Sequence, residues 1–517
     1  MNNNLRMFIL FGVIILVFGY YAYFAPKTIN VVSVDTTAVA AEAEKKVTDM
    51  TENTAIPVKT DFALQDTAVY DFETSFYKGT IASLSGGISR FNLSQFKSFD
   101  SALSLVPDES KIMKLIVNVG NQKYDLSNAN FSLVYKGDIC PLRSEKDSIV
   151  LVAKVDSITF TRTYIFTKDS YIIAHRVSAT ADIESAEYLF DNGISLTEKN
   201  QKDDMQYYAV DAYSLTNVIK TKAKSVKSGE ISMSGNYSWM GIQTKYFFSG
   251  LIGEGKGYSA GLLADQRLYA KFAFESGLVS LYMGPIDYRI LKSMNNGMEK
   301  IPDFGWSIIQ PISKFILGVI HFLHKFVPNY GVIIIIISIL LILIFSPLTF
   351  KSYGSMRKMQ MLQPEMEQLK KKYEKDPQRL NQETMNLYKK SKVNPFTGCL
   401  PMFIQMPVFF ALYAILRTTI ELRYAPFAFW ITDLATKDPY YVLPILTGAT
   451  MFVSQKLSLT DQSQKMMVYI MPIMITFLFL SLPAGINLYW LIYNLLSVVQ
   501  QMVIKKMLNK ETGVQNG

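Results

Sequence analysis

VIIIIISILLILIF, residues 332–345, is the stretch on which the fold turns. It is an almost unbroken run of Ile and Leu, and no charge lies between Lys325 and Lys351. A segment rich in Lys and Arg follows, including QPEMEQLKKKYEKDPQRLNQETMNLYKK at 363–390, before apolar sequence resumes with LPMFIQMPVFFALYAIL at 400–416. Two apolar spans joined by a strongly basic loop read as two transmembrane helices with the loop in the cytoplasm.

The same reading extends along the chain. Residues 1–24 carry an apolar run after Arg6, long enough to cross a bilayer at roughly 1.5 Å per residue. We read it as an uncleaved anchor; a cleaved signal peptide is the alternative, since AVAAEA downstream offers small residues. Further spans are expected at 329–349, 400–420, 441–458, 465–482 and 485–504, which makes six. With the N-terminus inside, 350–399, 459–464 and the tail 505–517 face the cytoplasm, and 421–440 faces outward. The charges agree: 350–399 holds 11 Lys+Arg against 5 Asp+Glu, whereas 421–440 holds two basic and three acidic residues. The chain is basic overall, at +9, yet 25–325 is close to neutral with 32 Lys+Arg and 33 Asp+Glu. A nucleic-acid binder would concentrate its excess in the folded domain, so nucleic acid is excluded as a substrate.

Residues 25–61 contain no Phe, Tyr or Trp and read as a flexible linker. From 62 to 300 the texture is β: AVYDFETSFYKGTIASLS, SIVLVAKV, SITFTRTYIFT, SYIIAHRVSA and GLVSLYMG recur between turn signals such as Gly86-Gly87 and Gly235-Asn236. One large all-β sandwich outside the cytoplasm is expected. Its single histidine, His175, reads as a strand residue rather than a base, and Asp203-Asp204 as a solvated turn. The two cysteines, Cys140 and Cys399, fall in different parts of the chain, so no disulfide framework is expected. There is no GxxxxGK[ST] sequence, and neither a cofactor nor a metal is expected. Residues 304–326 look like an interfacial amphipathic helix broken at Pro311, with His321 and His324 as headgroup-level polar residues.

Polar residues inside apolar spans are costly and mark pathways or helix contacts. Here they are Ser338 and Ser346 on one span, Gln405 on the next, the stripe Thr447, Thr450 and Ser454, and Asn487, Asn494, Ser497 and Gln501 on the last. They either line a hydrated groove or make ordinary interhelical hydrogen bonds. In the basic loop, Asp376-Pro377 supplies an N-cap and a first-turn proline. A helical hairpin follows, one helix ending near Tyr373 and the next running over 377–390.

SPLTFKSYGSMRKMQMLQPEM, KKSKVNPFTGCLPMFIQMPVFFALY, IELRYAPFAFWITDLATKDPYYVLPIL and PAGINLYWLIYN, in this order, resemble the YidC family of membrane-protein insertases in its Gram-negative form. The resemblance is clearest over 304–506, and looser over the β region. It implies an α-helical integral inner-membrane protein with a five-helix core, a cytosol-facing groove and a periplasmic β-supersandwich. It also implies nascent membrane proteins as substrates, and the Sec translocon, the ribosome and the phospholipid bilayer as partners. The groove would be lined by Ser338, Ile342, Gln405, Thr450, Asn487, Tyr489 and Asn494. The hairpin would present Arg357, Lys358, Lys370, Lys371, Lys372 and Arg379. Ile342 stands where the family usually has Arg or Lys. The protein would be no enzyme; a small-solute transporter and a membrane-tethered carbohydrate-binding protein are the alternatives.

Overall fold

The computed structural model describes residues 68–97, 102–120, 122–214, 217–226, 230–263, 267–391, 393, 400–458 and 465–511. The expected anchor 1–24, the linker 25–61, the loop 459–464 and Cys399 lie outside them. The described residues form two compact units, one ending at Pro302 and the other beginning at Asp303.

The first unit contains β1 (Val69–Glu73), β2 (Tyr77–Ala82), β3 (Ile88–Lys97), β4 (Ala102–Ser104), β5 (Ile112–Val119) and β6 (Gln122–Asp125). Next come β7 (Ser132–Lys136), β8 (Lys146–Val155), β9 (Ile158–Thr167), β10 (Ile172–Ala179), β11 (Ile183–Phe190), β12 (Ala209–Ser214) and β13 (Asn217–Lys222). The last are β14 (Ile231–Gln243), β15 (Phe247–Leu262), β16 (Leu268–Phe274) and β17 (Leu278–Pro285). Every pairing between these strands is antiparallel, as alternating buried and exposed side chains favour. The long strand β15 serves two ladders: Phe247–Ile252 pair with β17 and Gly255–Leu262 with β16. Register shifts at Gly255/Gly257 on β15 and around Tyr237 on β14 mark where the ladders diverge. Such bulges bend a strand sharply. Gly257 is needed at the bend, because a Cβ there would lie 2.6 Å from the backbone carbonyl oxygen of Met233.

From β17 the sheet continues through β10, β9, β8 and β7; from β16 it continues through β11 to β5. The two arms face each other across an aromatic core. Phe72 of β1 meets Phe166 of β9 at 4.8 Å between ring centroids. Arg162 of β9 is fully buried there. It donates to Ser85 O at 2.6 Å, Met113 O at 2.8 Å, Tyr164 Oη at 2.6 Å and His175 Nε2 at 3.2 Å. Burial and the Arg162 charge hold His175 well below the usual imidazole range, so it is a neutral acceptor.

Asp203-Asp204 is not a solvated turn. The pair closes a one-turn helix, Gln201–Asp204, and Asp204 is buried. Its carboxylate accepts the backbone N–H groups of Thr197 and Lys245, each at 2.9 Å, while the Lys245 ammonium meets Asp203 at 2.8 Å. A carboxylate that accepts backbone N–H bonds from two separate segments acts as an internal tie, a role invisible to local composition.

Asp211 of β12 is also fully buried, and neither of its oxygens has a hydrogen-bond partner. Lys220 on β13 comes no nearer than 3.6 Å. Burial raises the Asp211 pKa to about 6 against the opposing pull of Lys220. The folded pKa exceeds the unfolded one, so this carboxyl favours the fold at low pH and the benefit is lost as pH rises from about 4 through 6. Two units correspond to about 2–3 kcal/mol. Asp211→Asn should therefore raise the unfolding midpoint of the β unit at pH 8 but not at pH 4, as read from the strand signal in circular dichroism.

The second unit is helical: α1 (Gln310–His324), α2 (Tyr330–Met361), α3 (Gln363–Lys372), α4 (Pro377–Lys390), α5 (Leu400–Thr418), α6 (Val442–Ser458), α7 (Lys465–Phe479) and α8 (Ala484–Glu511). Pro311 opens α1 instead of breaking a longer helix. In a first turn the missing N–H has no intrahelical partner to lose. The helix α2 runs through Pro347 and past 349 to Met361, so Arg357 and Lys358 belong to it and not to the hairpin loop. Lys358 in the last turn complements the negative end of the helix. Likewise α8 continues beyond 504. Among the described residues, α2 is the one helix long and apolar enough to cross a bilayer; α6 and α7 are shorter apolar helices. Apolar side chains on α7, including Ile473, Met474, Phe477 and Leu478, are more than half exposed. An apolar face of that kind needs a nonaqueous neighbour.

Candidate functional site

The helix α8 packs against α2, α5 and α6, and the polar residues singled out in the sequence gather around it. Ser338 and Asn487 are fully enclosed, as is Tyr489, while Gln405, Asn494 and Ile342 are nearly so. Burial in a helical core is expected of Ile342 but costly for the others unless each polar atom is paired.

Their partners differ. Gln405 of α5 donates its Nε2 to Tyr489 Oη of α8 at 2.5 Å. Gln500 reaches Ser346 Oγ of α2 at 2.9 Å, and Gln501 reaches Ser454 Oγ of α6 at 2.8 Å. These three bonds tie α8 to three neighbours. The hydroxyls of Ser338 and Thr450 turn back to their own helices, onto Ile334 O at 2.8 Å and Leu446 O at 2.9 Å. Asn487 Nδ2 donates to Phe479 O and Leu482 O, both at 3.2 Å, and so closes the turn between α7 and α8. Its Oδ1 is buried without a partner, as are Asn494 Nδ2 and the indole N–H of Trp490. Of the expected groove residues, then, hydrogen bonding joins Gln405 with Tyr489. Ser338, Thr450 and Asn494 are not bonded to the others.

Thr349 and Ser352 were missed. They are buried on α2 and continue the face of Ser338 and Ile342 at helical spacing. The signal was present, but it lies at and beyond the expected end of the span. Gln500 was missed because its partner, Ser346, is 154 residues away in sequence. His321, expected only as a headgroup-level polar residue, has its Nε2 2.6 Å from Glu421 Oε1.

In the hairpin, Asp376 accepts the N–H of Arg379 at 3.0 Å and starts α4. Neither α3 nor α4 buries a residue. Lys358, Lys371, Lys372 and Arg379 are exposed, and Arg357 and Lys370 half-exposed. The guanidinium of Arg379 and the ammonium of Lys372 flank the Tyr373 ring at 5.8 and 5.4 Å. Among the described residues no group of three His, Cys, Asp or Glu could hold a metal ion.

Two family models match the chain, "YidC periplasmic domain" over residues 70–317 and "60Kd inner membrane protein" over 322–511. Together they define an integral membrane protein with a β-rich domain. A membrane protein insertase YidC from Citrifermentans bemidjiense is 34% identical over 84% of each chain. One from Geotalea daltonii is 35% identical, over 84% of this chain and 86% of its own. The crystal structure of an active YidC insertase with its first transmembrane domain resolved covers 89% of this chain and 98% of its own, at 17% identity and a TM-score of 0.39. The chain belongs to the YidC family of membrane protein insertases.

The Gln405–Tyr489 bond generates a prediction for stability. Gln405→Leu or Tyr489→Phe alone leaves one buried partner unpaired, whereas the double variant leaves none. A double-mutant cycle read by unfolding in mixed detergent should give a coupling of about 0.6–1.7 kcal/mol.

Proposed function

We propose that this membrane protein insertase lowers the cost of insertion with a hydrated polar path along α8, and does so without chemical catalysis. The relatives are named membrane protein insertases, and that activity carries over to this chain. One observation supports the path: Asn487 Oδ1 and Asn494 Nδ2 are buried in an apolar bundle with no protein partner. Each such atom costs about 1–3 kcal/mol if it stays dry, and water would remove that cost. A path that holds water also accepts the polar tail of a substrate. The substrate's apolar segment then moves sideways into lipid, which supplies the driving force.

In this reading the chain crosses the inner membrane six times, at 1–24, 329–349, 400–420, 441–458, 465–482 and 485–504, with both termini in the cytoplasm. The exposed cations of α3 and α4 then face the cytoplasm, where anionic headgroups, the ribosome and the Sec translocon can meet them. Nascent membrane proteins are the substrates. The groove wall comprises Ser338, Ile342, Gln405, Thr450, Asn487, Tyr489 and Asn494. With Ile342 uncharged, the wall offers no cation to an acidic tail. The transporter and carbohydrate-binding readings gain nothing from the relatives' names.

Complementation of a YidC-depleted strain tests the activity itself, with insertion of a short membrane protein as readout. The path is tested at Ile342. On a dry helix centre, Ile342→Arg would cost roughly 2.5–3.5 kcal/mol and the protein would fail to accumulate. In a wet path it should accumulate normally and insert substrates with acidic tails as well as or better than the parent. Photocrosslinking probes at Ser338 and Ile342 should capture the inserting segment. Poor accumulation together with no crosslinks would refute the path.

The orientation has its own test. In a Cys140→Ser, Cys399→Ser background, a cysteine placed by Lys371→Cys should react with a membrane-impermeant maleimide in inverted vesicles and stay unlabelled in right-side-out spheroplasts. Labelling from the periplasmic side alone would reverse the topology.

A further inference from the structure

The segment Ala425–Tyr441 between α5 and α6 buries Ile431, Leu434 and Ala435, yet it turns its acids inward and carries large aromatic rings at its surface. Its acids turn inward. Asp438 is 1% exposed and accepts the N–H groups of Tyr440 and Leu443 together with the indole N–H of Trp430 at 3.0 Å. Asp433 accepts the N–H groups of Tyr424 and Ala435, and Glu421, just before the segment, is engaged by His321. Phe429, by contrast, is 93% exposed and Tyr440 68% exposed, with Trp430 between them at ring distances of 6.0 and 6.4 Å.

This presentation is built rather than accidental. Phe429 has φ +54°, a conformation that a bulky side chain seldom adopts. The turn around it is closed by Phe427 N–H to Ile431 O at 3.0 Å and Ile431 N–H to Ala428 O at 3.1 Å. The segment is also clamped to α8, because Leu434 O and Thr436 O accept the N–H groups of Gly485 and Ala484. A strained aromatic held out by a rigid frame calls for an occupant that rewards its exposure.

The position of the loop identifies that occupant. Phe427 O accepts from Asn329 Nδ2 at 3.0 Å, and the Phe427 ring lies so close over Gly331 that a Cβ there would be 2.1 Å from it. The loop therefore sits level with the first turn of α2, where the apolar helix begins. Phe322 and Phe326, at the end of α1 near His321, are exposed as well. We infer that Ala425–Tyr441 is a membrane anchor whose Phe429, Trp430 and Tyr440 side chains sit in the headgroup layer of the outer leaflet. Amphipathic aromatic rings favour that layer. The inward-turned acids spare the loop repulsion from anionic lipid, and exposed Lys437 is a cation suited to phosphate. The inference rests on the membrane-spanning reading of α2.

The test uses the full chain with Cys140→Ser and Cys399→Ser. A nitrobenzoxadiazole probe is attached through Phe429→Cys, Tyr440→Cys or, as a reference, Ile339→Cys on the exposed side of α2. Each protein is reconstituted into phosphatidylethanolamine–phosphatidylglycerol vesicles bearing nitroxides near the headgroup or deep in the acyl chains. Probes at 429 and 440 should be quenched at least twofold more by the shallow nitroxide than by the deep one, and shielded from aqueous iodide. The probe at 339 should show the opposite depth order. Iodide quenching without lipid quenching at 429 and 440 would place the loop in water and overturn the inference. Shielding from both quenchers would assign the loop to a second protein copy and overturn it equally. If the 339 probe escapes the deep nitroxide, the spanning reading of α2 fails first, so the two failures are distinguishable.

Discussion

A polar atom buried among apolar helices must find a partner in the protein or in water, and the helical unit is arranged around that constraint. Along α8 the partners change in character. At its start, Ala484 and Gly485 give their N–H groups to carbonyls of the preceding loop, and the Asn487 amide closes the turn to α7. Farther along, Tyr489, Gln500 and Gln501 reach three different helices through side chains. Ordinary apolar packing would leave these helices free to slide, since lipid is as apolar as their leucines. Hydrogen bonds in known registers hold them, and the two unpartnered Asn atoms stand out against that background.

The β unit meets the same constraint in another way. Arg162 is a buried cation whose four hydrogen-bond acceptors are two carbonyls, a phenol and an imidazole, with no carboxylate among them. The charge is solvated by dipoles instead of a counterion, and His175 must stay neutral to contribute its lone pair. The guanidinium thereby joins β9 to Ser85 and Met113 on the facing arm. Asp204 does the complementary work for an anion, with backbone N–H groups as its shell. Both residues act across long sequence separations, which explains why neither role could be read locally.

What was legible in the sequence follows the range of the forces involved. The uninterrupted Ile/Leu run of α2 and the Asp376-Pro377 start of α4 are short-range signals, and the helices lie where those signals put them. Helix ends were less legible. The span was expected to end at 349, yet α2 continues to Met361, whose last turns (MRKMQM) are rich in good helix formers. Pro311 suggested a break and instead occupies a first turn. At the site, the residue types on α2, α5 and α8 were visible as polar interruptions of apolar runs. Which of them meet was not, because Gln405 and Tyr489 are 84 residues apart.

The two ends of α8 also differ in what they leave for a substrate. Where α8 begins, backbone N–H groups that a helix normally leaves open are already occupied by Leu434 O and Thr436 O, and the Asn487 Nδ2 donates to three carbonyls. A polar chain arriving there would have to displace bonds that already exist. Toward the other end, polar side chains recur at 494, 497, 500 and 501; Gln500 and Gln501 bond to serine hydroxyls, which can exchange partners without unwinding a helix, and Asn494 Nδ2 has no partner. Exchangeable partners at one end and fixed ones at the other give the bundle a direction. For the path proposed above, this asymmetry favours the entry of polar groups from the side where α8 ends over the side where it begins.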